Sequence, residues 1–235
     1  MMAKEVLERM IGGERLDRES AYRLMEGILK GRYTPVQLGA MLAVLRMHKE
    51  TGEELAGFVE AIRKKAVPFS LPYGVQVADN CGTGGDGTGS FNISTAAAFV
   101  IAGSGRRVAK HGNRAASSRC GSADVLEALG VRIDLSPQQV AQCIEAVGIG
   151  FLFAPNFHPA MKHAIGPRRE LGQRTLFNLL GPLTNPAGAA YQLLGVYDAA
   201  LVSTLAQVLM ELGAAGAMVV HGYGGLDELS TGGPN

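Results

Sequence analysis

Beyond residue 74 short β-rich runs alternate with helical stretches, and few folds accept that alternation. The strand candidates are 75–79, 107–110, 131–134, 150–153, 192–197 and 217–221. Apolar residues at helical spacing lie between them over 94–102, 122–129, 137–147 behind a Ser136 cap, and 199–212. Parallel strands need crossover connections, and helices serve as crossovers. The pattern therefore predicts an α/β fold with a largely parallel sheet flanked by helices, and ligands beyond the carboxyl ends of the strands.

The chain before this point has only helical periodicity. Apolar side chains recur at three and four in Tyr22, Met25, Ile28 and Leu29, in Leu38, Met41, Leu42 and Leu45, and in Leu55, Phe58, Val59 and Ile62. Thr34-Pro35-Val36-Gln37 and Thr51-Gly52-Glu53-Glu54 have the form of capping boxes, the first with proline at the first helical position. Residues 1–67 are expected to form a smaller all-helical domain, with 68–73 as linker. Residues 74–158 and 187–235 form the α/β domain, and 159–186 return to the helical one. Helices this short need partners, so a shared apolar face favours a homodimer. The alternation stops just after a strand, so the sheet is expected to be incomplete at the C-terminal end.

Composition removes several function classes. The 22 basic and 21 acidic side chains leave a net charge of +1, which argues against nucleic-acid binding. The longest apolar run, 95–103, is too short to cross a membrane. Cys81, Cys120 and Cys143 are far apart without a CxxC pair, which suggests neither disulfides nor zinc and fits a cytoplasmic setting. His158 and His163 are spaced wrongly for one helical metal face.

The chemistry concentrates in two loops. Gly82-Thr83-Gly84-Gly85-Asp86-Gly87 follows the first strand and leads through Ser90 and Asn92-Ile93-Ser94-Thr95 into a helix. Glycines let backbone approach an anion, and a helix N-terminus offers unsatisfied N–H donors. Ser94 or Thr95 can also give a hydroxyl oxygen to a hard cation. The glycines fit G-x-G-x-x-G, which raises an NADP-binding oxidoreductase as an alternative. That fingerprint wants a helix at the glycines and an acid roughly twenty residues on, whereas here polar residues intervene and the second strand is flanked by Arg106, Arg107 and Lys110. Lys110-His111-Gly112-Asn113-Arg114 ends the second strand, and Ser117, Ser118, Arg119 and Ser122 follow at another helix start. Two anion cradles on adjacent strands suggest a ligand with two separated phosphates.

These segments, with Gly121-Ser122-Ala123-Asp124, His158-Pro159-Ala160-Met161-Lys162 and Gly181-Pro182-Leu183-Thr184-Asn185-Pro186, occur in the order in which the anthranilate phosphoribosyltransferases carry theirs. The chain resembles that family across its length. Ser90, where many members have threonine, and Arg119-Cys120, where a Lys-Ser pair is common, are departures that remove no required group. The resemblance implies transfer of the phosphoribosyl group of phosphoribosyl diphosphate to anthranilate, in tryptophan biosynthesis, by a homodimer joined through the helical domain. By matched position, Gly82, Gly84, Gly85, Asp86, Ser90, Asn92, Ser94, Thr95, Lys110 and Ser122 would hold phosphoribosyl diphosphate. Gly82, His111, Asn113 and Arg168 would face anthranilate, and Asp227, Glu228 and Ser94 would hold Mg²⁺. Asp227-Glu228 alone reads as a solvated turn, and Arg168 alone as a surface salt-bridge partner. A pyrimidine nucleoside phosphorylase-like enzyme is the nearest enzymatic alternative. The family continues past Asp227-Glu228 with further strands and helices.

Overall fold

The structure, a computed structural model, describes residues 3–115 and 120–235. In chain order its elements are α1 (Ala3–Ile11), α2 (Arg18–Leu29), α3 (Pro35–His48), α4 (Gly52–Lys65), β1 (Ala78–Gly82), α5 (Ile93–Gly103), β2 (Val108–Gly112), α6 (Ser122–Ala128), α7 (Pro137–Val147), β3 (Ile149–Phe153), α8 (Ala154–Phe157), α9 (Lys162–Leu171), α10 (Phe177–Leu183), β4 (Tyr191–Gly195), α11 (Leu201–Glu211) and β5 (Gly216–Val220). They group into two compact units, one of Met1–Ala66 with His158–Thr184, the other of Val67–Phe157 with Asn185–Asn235.

In the helical unit the starts are chemically specified. Thr34 accepts from the Gln37 N–H while Gln37 returns a bond to Thr34, and Thr51 and Glu54 do the same. Asp17 caps α2 by accepting from Ser20 N. These side chains satisfy N–H groups that a helix leaves open. Leu24, Met25, Ile28, Met41, Leu42, Leu45, Leu55 and Phe58 are fully buried, so the three- and four-spaced stripes are the core of this unit. Gly57 makes the α2–α4 crossing close, because a Cβ there would overlap the Arg18 carbonyl oxygen. Arg63 Nε donates to the Leu183 carbonyl at 3.0 Å, tying α4 to the end of α10.

In the second unit the described strands form one parallel sheet ordered β3-β2-β1-β4-β5. The order reverses between β1 and β4, the place where open α/β sheets leave a crevice at their carboxyl ends. Val77, Ala109, Val140, Ile144, Leu152 and Phe157 form the core beneath α7. The capping box of Ser136 and Gln139 starts α7, and Gly148, at φ 82°, ends it.

Two strand expectations need correction. The first strand is Ala78–Gly82 rather than 75–79, because Val75 turns back on Pro72 and Ala78 is the first residue to join the ladder, bonding to the Arg107 carbonyl. Residues 131–134 form no strand. Their alternation is used otherwise: Ile133 packs with Ala123 and Leu126, while Arg132 and Asp134 pair with each other in solvent. A period of two marks a half-buried segment whether or not a ladder partner exists.

Candidate active site

Gly82 and Gly195 pair in register at the carboxyl ends of β1 and β4, and so stand at the sheet's point of reversal. The loop from β1 to α5 begins there. Gly84, Gly85, Gly87 and Gly89 all have positive φ, between 69° and 78°, a conformation that glycine adopts without steric cost. Thr83 N donates to the Gly195 carbonyl at 2.9 Å and Thr83 Oγ1 accepts from Tyr197 N at 3.1 Å, so the loop is anchored to β4 before it opens.

The carboxylates of Asp227 and Glu228 lie against this loop. Asp227 Oδ2 accepts from Gly84 N at 2.6 Å, and Glu228 Oε1 accepts from Ser94 N at 3.0 Å in the first turn of α5. Both N–H groups expected to cradle an anion therefore hold one, in the form of the protein's own carboxylates. Burial pushes both acids above the usual carboxylate range, and repulsion adds to it, from Asp86 on Asp227 and from Asp227 on Glu228. Two crowded, partly desolvated acids at one helix start are suited to a hard divalent cation. No group of three or more His, Cys, Asp or Glu side chains among the described residues is arranged to hold a metal. Protein oxygens alone would thus leave most of a coordination shell to water and substrate, as Mg²⁺ sites commonly do.

The other site candidates fall into three groups. Asp86 is turned onto its own loop, accepting from Thr88 N at 3.2 Å and Thr88 Oγ1 at 2.7 Å. Ser90 is exposed on that loop, Asn92 Nδ2 donates to the Cys120 carbonyl, and Thr95 is buried with its hydroxyl unpartnered among the described residues. At β2, Lys110 and His111 are both buried, and Lys110 Nζ donates to the Asn80 carbonyl at 2.7 Å. Burial lowers the Lys110 pKa and raises that of Asp79 to about 6, while attraction between the two opposes both shifts. Ser122 opens α6, whose start Asp124 closes by accepting from Gly121 N and Ala115 N at 2.8 and 2.9 Å. Asn113 Oδ1 accepts from Arg114 N. Ser117, Ser118 and Arg119 lie outside the described residues.

Arg168 belongs to the helical unit, on α9. Its guanidinium sits 4.9 Å from the centre of the Phe177 ring, and no carboxylate pairs with it among the described residues. Its observed neighbour among the described residues is thus an aromatic ring rather than an acid.

Sequence reasoning passed over the buried groups under the loop. Asn185 Nδ2 donates to both Asp79 Oδ2 and the Ala109 carbonyl at 2.8 Å, stitching β1 to β2. Asn80 Nδ2 donates to the Ser94 carbonyl at 2.7 Å, fixing the start of α5. The polar residues Asp79 and Asn80 at buried positions of β1 were the available signal, since such groups need partners.

The order β3-β2-β1-β4-β5 is also that of five of the six strands of the dinucleotide-binding fold, but β2 ends in Lys110-His111-Gly112 without an acid, and α5 begins only at Ile93. Residues 74–235 match the glycosyl transferase family, a/b domain, and residues 4–66 match the glycosyl transferase family, helical bundle domain. The anthranilate phosphoribosyltransferase of Moorella thermoacetica is 55% identical over 234 residues, all of this chain and 69% of that protein. The chain belongs to the anthranilate phosphoribosyltransferase family. The Pelotomaculum thermopropionicum enzyme of that name is 53% identical, with the chain covering 68% of its length. Among solved structures, anthranilate phosphoribosyltransferase from Thermus thermophilus superposes with a TM-score of 0.88 at 47% identity, over 97% of this chain and 68% of that one. The Saccharomyces cerevisiae member, in complex with PRPP and Mg, gives a TM-score of 0.90 at 28% identity over the same shares. The chain thus spans about two thirds of the length of these relatives.

Proposed function

We propose that the chain transfers the phosphoribosyl group of 5-phosphoribosyl 1-diphosphate to the amino group of anthranilate, releasing diphosphate, in tryptophan biosynthesis. The observation that carries this reading is the Asp227-Glu228 pair laid on the N–H donors of a glycine loop, at the point where the sheet order reverses. A site that presents acids and anion donors at the same atoms is built for a ligand carrying both phosphate and a divalent cation.

Asp227 and Glu228, with the Ser94 hydroxyl, would hold Mg²⁺, which when bound neutralises charge developing on the leaving diphosphate. The yeast relative in complex with PRPP and Mg supports a part for Mg²⁺. Gly84, Gly85, Asp86, Ser90, Asn92, Ser94, Thr95, Lys110 and Ser122 would orient phosphoribosyl diphosphate through backbone N–H groups, hydroxyls and the ammonium. Burial lowers the Lys110 pKa, and attraction to Glu228, after that to Asp79, opposes the fall. The reacting ribose carbon resembles an oxocarbenium ion, so stabilisation is electrostatic and no protein nucleophile is required. His111, Asn113 and Gly82 would face anthranilate together with Arg168, whose planar guanidinium matches a carboxylate by two parallel bonds. Attack from the side opposite diphosphate inverts the ribose carbon.

The working form is a homodimer joined through the helical unit, where Ile11, Val36 and Met47 are exposed. Its place is the cytoplasm, where three cysteines outside any disulfide are stable. No helix among the described residues is long and apolar enough to cross a membrane. Mixing the protein with anthranilate, phosphoribosyl diphosphate and Mg²⁺ should make anthranilate fluorescence fall. A constant signal at saturating substrates, with folded protein, overturns the proposal.

A further inference from the structure

The turn that carries the two carboxylates lies against the ends of β1 and β4 and the loop after β5, and each offers it a glycine. A Cβ on Gly195 would overlap the Asp227 carbonyl oxygen and stand 3.1 Å from Glu228 N. On Gly82 it would lie 2.5 Å from Asp227 Oδ2 and 3.1 Å from the Asp227 carbonyl oxygen, and on Gly222 it would overlap the Glu228 carbonyl oxygen. None of these three glycines has positive φ, so the backbone conformation would accept another residue and only the space demands glycine. The chain reaches the seat by a tight return: Gly222 N donates to the Leu226 carbonyl at 2.8 Å, across Gly224 and Gly225 at φ 81° and 86°.

We infer that Gly195 and Gly222, with Gly82, are positioning residues that form a seat without side chains, setting the height of Asp227 and Glu228 above the strand ends and so the affinity for the divalent cation. The inference rests on the assignment of those acids to Mg²⁺. An added methyl at Gly195 cannot be absorbed by rotating a side chain, because the opposing atom is backbone. The turn must lift, carrying both acids away from Gly84 N and Ser94 N.

The test is titration of the full chain with Mn²⁺ and phosphoribosyl diphosphate, read by water-proton relaxation. Gly195→Ala and Gly222→Ala should each weaken binding of the Mn²⁺ complex about ten- to a hundredfold, the usual effect of disturbing groups that orient metal ligands. Gly216→Ala, whose Cβ would meet only the Tyr191 ring at 3.1 Å, should bind as the wild type does. Should Gly195→Ala fail to fold by circular dichroism, Gly222→Ala decides, since it lies in the loop after β5. Wild-type affinity in the folded variants overturns the seat. Absence of binding by the wild-type chain would instead overturn the metal assignment.

Discussion

Asp79 is 1% exposed, and burial raises its carboxyl to about 6. A folded-state pKa above the unfolded value means that the native chain binds this proton more tightly. The stability it contributes is complete below about pH 4 and is lost as pH rises through about 6, roughly 2 to 3 kcal/mol in all. Wild-type unfolding free energy, measured in urea from pH 4 to 6, should therefore fall by about that amount relative to Asp79→Asn. Above neutral pH the same variant removes the counter-charge of Lys110, so its phosphoribosyl diphosphate KM should rise several-fold, more at pH 9 than at pH 7. Arg168→Ala tests the acceptor end. A charge-assisted bond of roughly 1.5 to 3 kcal/mol predicts an anthranilate KM about ten- to a hundredfold higher, with the phosphoribosyl diphosphate KM much less affected. Steady-state kinetics with each substrate varied in turn separates the two.

Among the elements, the α2–α4 crossing is set by Gly57, and Gly57→Ala should cost about 1 to 3 kcal/mol of overpacking, read as a lower urea midpoint. Helix starts were legible because their signals are local: Thr34, Thr51 and Ser136 each act within three residues. Strand limits were less so, since joining a ladder depends on a neighbour distant in sequence, as Ala78 depends on Arg107. The same distinction holds in the site. Glycine loop and helix start could be read from composition, whereas Asp227-Glu228 looked like a solvated turn until resemblance and then geometry set it against Gly84 and Ser94. Gly195 and Gly222 gave no sequence signal at all, because a glycine required by space looks like one required by a turn.

At the scale of the whole molecule, Val36 and Met47 of α3 are exposed, and the proposed homodimer through the helical unit would cover them. Light scattering at micromolar concentration should give twice the chain mass, and Val36→Asp with Met47→Asp should give monomers. The occupied donors of Gly84 and Ser94 bear on what the molecule ignores. A phosphate arriving alone meets N–H groups already taken and three acids, Asp86, Asp227 and Glu228, that repel it. On the proposed metal assignment a divalent cation would draw those acids off the donors, so that anion and cation would be admitted together. Isothermal titration calorimetry with inorganic phosphate in the absence of any divalent cation should show no binding at millimolar concentration. On that reading the crevice would behave as a lock with two keys, one that a cell full of ordinary phosphate would not jam.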